Sequence, residues 1–201
     1  MSKVNILSLF SGLGGIDFGF KKAGFSTKYA SDNWITACES FKKNFPDCDV
    51  INDDITNLKY SEFSNIDGIV GGPPCPPFSK SRFYRKEKSR GIEDEEGKKT
   101  LTNYFLAVNK LKPKFFFFEN VHGFIYKPHK SALDFIKNES DKLGYKIFYK
   151  ILNSADYGVP QVRKRFVCIG VKKSMNDFLF PTPTHSDPSK PQKNTKNWVT
   201  C

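Results

Sequence analysis

Short apolar runs and helical spacings of apolar residues alternate along the chain. "VNILSLF" (4–10) predicts a buried strand, and Ile16, Phe20 and Ala23 predict a helix stopped by Gly24. "TKYAS" predicts a second strand. Trp34, Ala37, Cys38, Phe41 and Phe45 then fall on one helical face, which makes Cys38 core filling. "CDVIN" and "DGIVGG" predict a third and a fourth strand. Residues 79–99 are polar and basic and predict a long loop. Leu101, Tyr104, Phe105, Val108 and Leu111 predict a further helix. "KFFFFEN" predicts a strand buried on both faces, as in the middle of a parallel sheet. A helix near 131–143 and strands at "YKIFYKIL" and "RFVCIGV" follow.

This alternation predicts an α/β fold with a doubly wound, mostly parallel sheet over residues 1–171. From Lys172 to Cys201 prolines and lysines replace the periodicity, so 172–201 is expected to be a linker or tail.

Charge adds a partner class. The 201 residues carry 32 Lys and Arg against 21 Asp and Glu, a formal net charge of +11. That excess suits a polyanion such as nucleic acid, although a lysine-rich surface alone would give the same balance. The 5 cysteines are odd in number and none has C-x2-C spacing, which argues against a disulfide framework and a zinc site. No apolar run approaches the roughly 20 residues of a membrane span. A cytoplasmic protein with no metal and no membrane contact is expected.

In open parallel sheets ligands bind beyond the carboxyl ends of the strands, at the switch point. After the first strand comes "FSGLGG" (10–15), which is either a backbone cradle for a ligand or a tight turn. It is not G-x-G-x-x-G, which disfavours a dinucleotide. After the second strand Asp32 is placed either for ribose hydroxyls or as a helix cap. After the third, Asp54 could accept from an adenine amino group or close a turn. After the fourth comes Cys75, fenced by prolines in "GGPPCPPFS" and followed by basic residues. It is a nucleophile candidate, or else a small residue in a turn. After the fifth comes Glu119, a proton donor or acceptor, or a strand-end carboxylate. If the first and fourth strands flank the switch point, the fifth lies beside the fourth and Cys75 and Glu119 share a pocket. Arg163 and Arg165 in "QVRKR" face one side of an extended segment, or belong to a basic edge strand.

Taken in order, "FSGLGG", "SDNW", "DDIT", "GGPPC", "ENV" and "QVRKR" resemble the motifs of cytosine-C5 DNA methyltransferases over roughly residues 4–171. The resemblance implies a Rossmann-like S-adenosylmethionine-dependent methyltransferase fold and methyl transfer to C5 of a flipped cytosine in duplex DNA, in an enzyme of restriction-modification type. It implies that Phe10, Ser11, Gly12, Leu13, Gly14 and Gly15 cradle S-adenosylmethionine. Asp32 would hold the ribose and Asp54 the adenine, with Asn33, Ile55 and Pro74 beside them. Cys75 would be the nucleophile, Glu119 its partner at the base, and Arg163 and Arg165 would position the target. Ser79, Lys80, Arg82, Arg85 and Gln161 would meet DNA.

The sequence departs from the family pattern in places. Pro76 stands where glutamine often follows the nucleophile, and Lys98 and Lys99 stand where a small residue is common. The family normally continues into a target-recognition domain and a final Gly-Asn motif. The sequence is therefore expected to be a fragment, one subunit completed by a second polypeptide, or an inactive copy. A tRNA cytosine methyltransferase and a non-catalytic module binding S-adenosylmethionine or nucleic acid are the alternatives.

Overall fold

The computed structural model describes residues 3–74 and 95–200. Of the site residues expected above, Cys75, Ser79, Lys80, Arg82 and Arg85 lie outside the described residues.

Strands β1 (Val4–Leu9), β2 (Phe25–Asp32), β3 (Asp49–Asn52), β4 (Gly68–Gly71), β5 (Phe115–Val121), β6 (Tyr145–Asn153) and β7 (Lys164–Lys172) form one sheet. Its order is β3-β2-β1-β4-β5-β7-β6. β1 pairs in parallel with β2 and with β4, and β4 pairs in parallel with β5. β7 alone runs against its neighbours, antiparallel to both β5 and β6. The chain winds outward from β1 to one edge and from β4 to the other, so the switch point lies between their carboxyl ends.

Helices α1 (Gly15–Lys22), α2 (Ile35–Asn44), α3 (Glu95–Leu111) and α4 (Lys130–Lys142) connect the strands. Their charge placement favours them: Asp17 stands in the first turn of α1 and Lys21 and Lys22 in its last. α3 begins at Glu95, so residues 95–99 are helical rather than part of the expected loop. Glu95 and Glu96 in its first turn complement the helix dipole, a signal the long basic stretch before them hides.

The main core lies between the sheet and α3 and α4. Leu7, Ile69, Leu101, Tyr104, Val108, Phe116, Phe118, Ile136 and Phe166 are all fully buried there. The phenylalanine run splits by strand alternation: Phe116 and Phe118 enter this core, while Phe115 and Phe117 pack on the other face against Phe20 of α1. The Tyr104 hydroxyl donates to the Phe117 carbonyl at 2.7 Å, tying α3 to the strand that carries Glu119.

Asp17 is a buried carboxylate inside this packing. It accepts from the hydroxyls of Ser8 and Thr27, each at 2.9 Å, and so stitches α1 to β1 and β2. Burial pushes its carboxyl up against those hydrogen bonds.

Residues 172–200 lack periodicity but are not free of the sheet domain. His185–Ser186 (β8) pairs in parallel with Lys196–Asn197 (β9). The Trp198 indole N–H donates to Asp156 Oδ1 at 2.9 Å, and the Thr184 N–H donates to the Asp156 carbonyl at 2.9 Å.

Candidate active site

The loops after β1, β2 and β3 meet over the switch point. Phe10 has a left-handed backbone (φ 54), as do Gly12 (φ 53) and Gly14 (φ 88). A non-glycine residue held at positive φ is uncommon and marks a backbone fixed by its surroundings. At Gly14 a side chain is excluded outright, because a Cβ would stand 2.4 Å from the Phe45 ring. The loop is anchored to β2 twice. Ser11 N–H donates to the Ser31 carbonyl at 3.1 Å, and Gly12 N–H donates to Asp32 Oδ2 at 2.9 Å. The other Asp32 oxygen accepts from Trp34 N–H at 3.0 Å, at the start of α2. Asp32 therefore links the glycine loop to the helix start, as well as facing the cavity.

That cavity measures about 170 Å³. Phe10, Asp32, Asn33, Asp54, Ile55, Gly72 and Pro74 line it, joined by Asp53, Glu96, Lys99 and Thr100. Ser11, Gly12 and Gly14 stand in the adjoining loop, Gly15 opens α1 directly after it, and Leu13 is 65% exposed at the loop's tip. Asp54 caps the turn that follows β3: its Oδ1 accepts from the Thr56 N–H at 3.0 Å and the Thr56 hydroxyl at 2.7 Å. Its Oδ2 forms an ion pair with Lys99 at 2.8 Å. Lys99 and these bonds hold the Asp54 carboxyl down to about 2.

Glu119 lies near the end of β5, next to Gly72 but outside the lining of this cavity. A Cβ at Gly72 would stand 3.2 Å from Glu119 Oε2, so glycine leaves that carboxyl its place. The Arg165 Nε lies 2.9 Å from Glu119 Oε1. The antiparallel register explains the pair, since Val121 lies opposite Arg165 and cross-strand neighbours share a face. Burial pushes the Glu119 carboxyl up, opposed first by Arg165 and then by Arg163. Arg163 is itself exposed, and its N–H donates to Asn153 Oδ1 at 3.0 Å. Gln161 is exposed in the same loop, where its carbonyl accepts from the Ser154 hydroxyl at 2.6 Å.

Sequence reasoning missed two groups at this site. Asn120 is buried, and its amide donates to the Pro73 carbonyl at 3.2 Å, fixing the segment that leads to Cys75. The signal was a polar residue on the inward-facing alternation of an apolar strand. Lys99 had drawn notice only as a departure from a pattern.

Cys38, Cys48 and Cys168 are buried free thiols, and burial pushes Cys48 and Cys168 up to about 12. Thiols so placed pack as small apolar groups and do not act as nucleophiles. Among the described residues no cluster of His, Cys, Asp or Glu is placed to hold a metal ion, and no helix is long and apolar enough to cross a membrane.

A doubly wound sheet with a reversed seventh strand, and a glycine loop and acids lining a cavity over its switch point, define a Rossmann-like methyltransferase domain. The chain belongs to the C-5 cytosine-specific DNA methylase family, whose model matches residues 4–200. The type II methyltransferase M.FnuDI of Fusobacterium nucleatum is 39% identical over 182 residues, covering 90% of this chain and 51% of its own length. M.NgoFVII of Neisseria gonorrhoeae is 40% identical, covering 92% of this chain and 49% of its own. The chain thus spans about half the length of these relatives. M.AquIA of Picosynechococcus is 36% identical over 196 residues and is covered over 76% of its length. Among solved structures, a putative DNA modification methyltransferase encoded within an E. coli prophage superposes with TM-score 0.72 at 30% identity, covering 86% of this chain and 47% of that one. The Spodoptera frugiperda DNMT2 structure shares the fold, with TM-score 0.70 at 21% identity over 98% of this chain and 55% of that one.

The family's methyl donor is S-adenosylmethionine, and the residues present fit it. The Ser11 hydroxyl is buried without a hydrogen-bond partner among the described residues, under a loop shaped for close backbone approach. Asp32 and Asp54 place carboxylate acceptors on the same cavity wall, of the kind that ribose hydroxyls and an adenine amino group would need.

Proposed function

We propose that this chain is the catalytic part of a DNA (cytosine-5-)-methyltransferase of restriction-modification type. One relationship carries the reading. Gly72 lines the cofactor-shaped cavity and also abuts the Glu119 carboxyl, three residues before Cys75. A methyl donor and a base-binding carboxyl are thereby brought to the two sides of the segment that carries the thiol.

Cytosine C5 is too poor a nucleophile to take a methyl group unaided. The Cys75 thiolate adds to C6 and turns the ring into an enamine that is nucleophilic at C5. Glu119, which burial favours in its protonated form, donates to N3 as negative charge develops there and accepts from the exocyclic amine. Arg165 and Arg163 orient that carboxyl and hold the base carbonyl. S-adenosylmethionine, when bound by residues 10–15 with Asp32 and Asp54, supplies an electrophilic methyl on a sulfonium. Loss of the C5 proton to a water molecule after transfer then breaks the C6–sulfur bond, Cys75 leaves as thiolate, and the N3 proton returns to Glu119 as the ring regains aromaticity. The cytosine is first flipped from the duplex, at a cost of a few kcal/mol. Ser79, Lys80, Arg82, Arg85 and Gln161 are assigned to the DNA, with the cations meeting phosphate.

Residues 172–201 lead, in this reading, from the catalytic domain of 1–171 toward a target-recognition region. A second polypeptide is one source of that region. A cytoplasmic place of work belongs to the same proposal.

The test is trapping on duplex DNA bearing 5-fluorocytosine, with S-adenosylmethionine, for the chain alone and together with a polypeptide supplying the recognition region. A denaturation-resistant adduct that disappears in Cys75→Ser is the expected result. No adduct in either mixture overturns the proposal. Labelled methyl transfer to tRNA in place of duplex DNA would redirect it to an RNA substrate.

A further inference from the structure

Among the described residues, Lys99 is the cationic side chain on a cavity wall whose other charged groups are acidic. Asp32, Asp53, Asp54 and Glu96 line the same cavity. Two of those carboxylates are engaged nearby: Asp32 takes the N–H groups of Gly12 and Trp34, and Asp53 Oδ1 takes Asp54 N–H and the Asn57 amide. Lys99 reaches Asp54 Oδ2 at 2.8 Å, and Glu96 on the same helix adds attraction. Thr56 occupies the other Asp54 oxygen through two hydrogen bonds. The ion pair is not sealed off, since the Lys99 and Asp54 side chains are 38% and 31% exposed.

An ammonium carries three donors and a carboxylate oxygen can accept more than one hydrogen bond. The pair therefore keeps both a free donor and a free acceptor, side by side at the cavity. A carboxamide reads adenine with the same pattern: its oxygen accepts from the exocyclic amino group while its nitrogen donates to the adjacent ring nitrogen. The ring nitrogens of adenine are acceptors only, so the carboxylates of this wall repel them, whereas the Lys99 ammonium beside Asp54 can donate to them. Lys99 corrects that mismatch.

We propose that Lys99 is a specificity-determining residue for the methyl donor: it donates to a ring nitrogen of the adenine whose amino group Asp54 accepts from. This rests on the assignment of the cavity to S-adenosylmethionine. It makes the lysine, at a place where the family usually has a small residue, part of the binding site rather than a substitution tolerated at its rim.

The experiment is calorimetric titration of the full chain, wild type and Lys99→Met, with S-adenosylhomocysteine. Three analogues, each lacking one of the ring nitrogens N1, N3 or N7, are titrated in parallel. Methionine keeps the length and removes the charge. A charged donor lost from a ligand costs about tenfold in affinity. That loss is expected with S-adenosylhomocysteine and is expected to vanish with the N1 or the N7 analogue, while Lys99→Arg retains part of the affinity. Equal affinity of wild type and Lys99→Met overturns the inference and leaves the cofactor assignment standing. So does an equal loss with every ligand, which would reveal only a change in shape or overall charge. Failure of the wild type to bind S-adenosylhomocysteine overturns the cofactor assignment, and this inference with it.

Discussion

The side-chain amide of Asn120 donates to the carbonyl of Pro73 across 3.2 Å, joining the end of β5 to the segment that leads into Cys75. Glu119 and Asn120 point to opposite faces of one strand, so the first is aimed at the site while the second holds the neighbouring loop. Asn120→Ala is expected to lower the rate of methyl transfer by about 10², the cost of a misplaced reacting group, with a stability loss of only about 1–2 kcal/mol. Single-turnover kinetics set beside thermal melts would check this. A rate unchanged in a folded variant would remove Asn120 from the positioning of the loop.

Glu119 ties function to pH-dependent stability. Its folded-state carboxyl is raised, first by burial. The folded chain thus holds that proton more tightly than the unfolded chain does. The stability it contributes is full below the ordinary carboxylate range and is lost as pH rises through the raised folded value. Glu119→Gln is expected to abolish methyl transfer and to flatten this loss. Melting curves of the two proteins should coincide most closely in acid and diverge in favour of the variant toward neutral pH.

Trp198 anchors a string of hydrogen bonds that ends at the backbone of Arg163. Asp156 Oδ1 accepts from the Trp198 indole at 2.9 Å and from the Asn153 amide at 3.2 Å, and Asn153 Oδ1 in turn accepts from Arg163 N–H. Trp198→Phe keeps the ring and deletes the donor. Amide hydrogen exchange in residues 153–163 is expected to speed up by about tenfold, the worth of one modest hydrogen bond. Exchange confined to residues near 198 would show that the string carries no constraint.

Gly170 shows how tightly the strands are filled. A Cβ there would stand 2.0 Å from the Phe116 ring. Gly170→Ala is expected to destabilise the chain by about 3 kcal/mol, because a buried ring has to leave its rotamer. Denaturant unfolding measures this directly, and a loss under about 0.5 kcal/mol, ordinary for surface changes, would mean the core yields more readily than its packing implies.

Much of the architecture could be read from periodicity alone. The short apolar run of 4–10 and the helical spacing of Trp34, Ala37, Cys38 and Phe41 correspond to β1 and α2, with Ala37, Cys38 and Phe41 buried. The position of β5 beside β4 followed from supposing the switch point between β1 and β4. Residues 95–99 were misread because a run of charges looks the same in a loop and on the exposed first turn of a helix. The docking of 172–200 was invisible because it depends on single polar contacts, such as Trp198 with Asp156, which leave no repeating pattern. Asn120 and Lys99 were hidden for a related reason. Each matters through a partner distant in sequence, Pro73 and Asp54 respectively, and no local spacing reports such a pairing.

The reversal of β7 has a temporal consequence. Because that strand runs backwards, its first residues, rather than its last, reach the rim where Glu119 sits. During synthesis at the ribosome the carboxyl emerges well before the guanidinium that faces it. A nascent chain that stops short of Arg165 leaves the Glu119 carboxyl without the guanidinium that faces it, so the charge balance of this rim waits on the strand of this sheet made last.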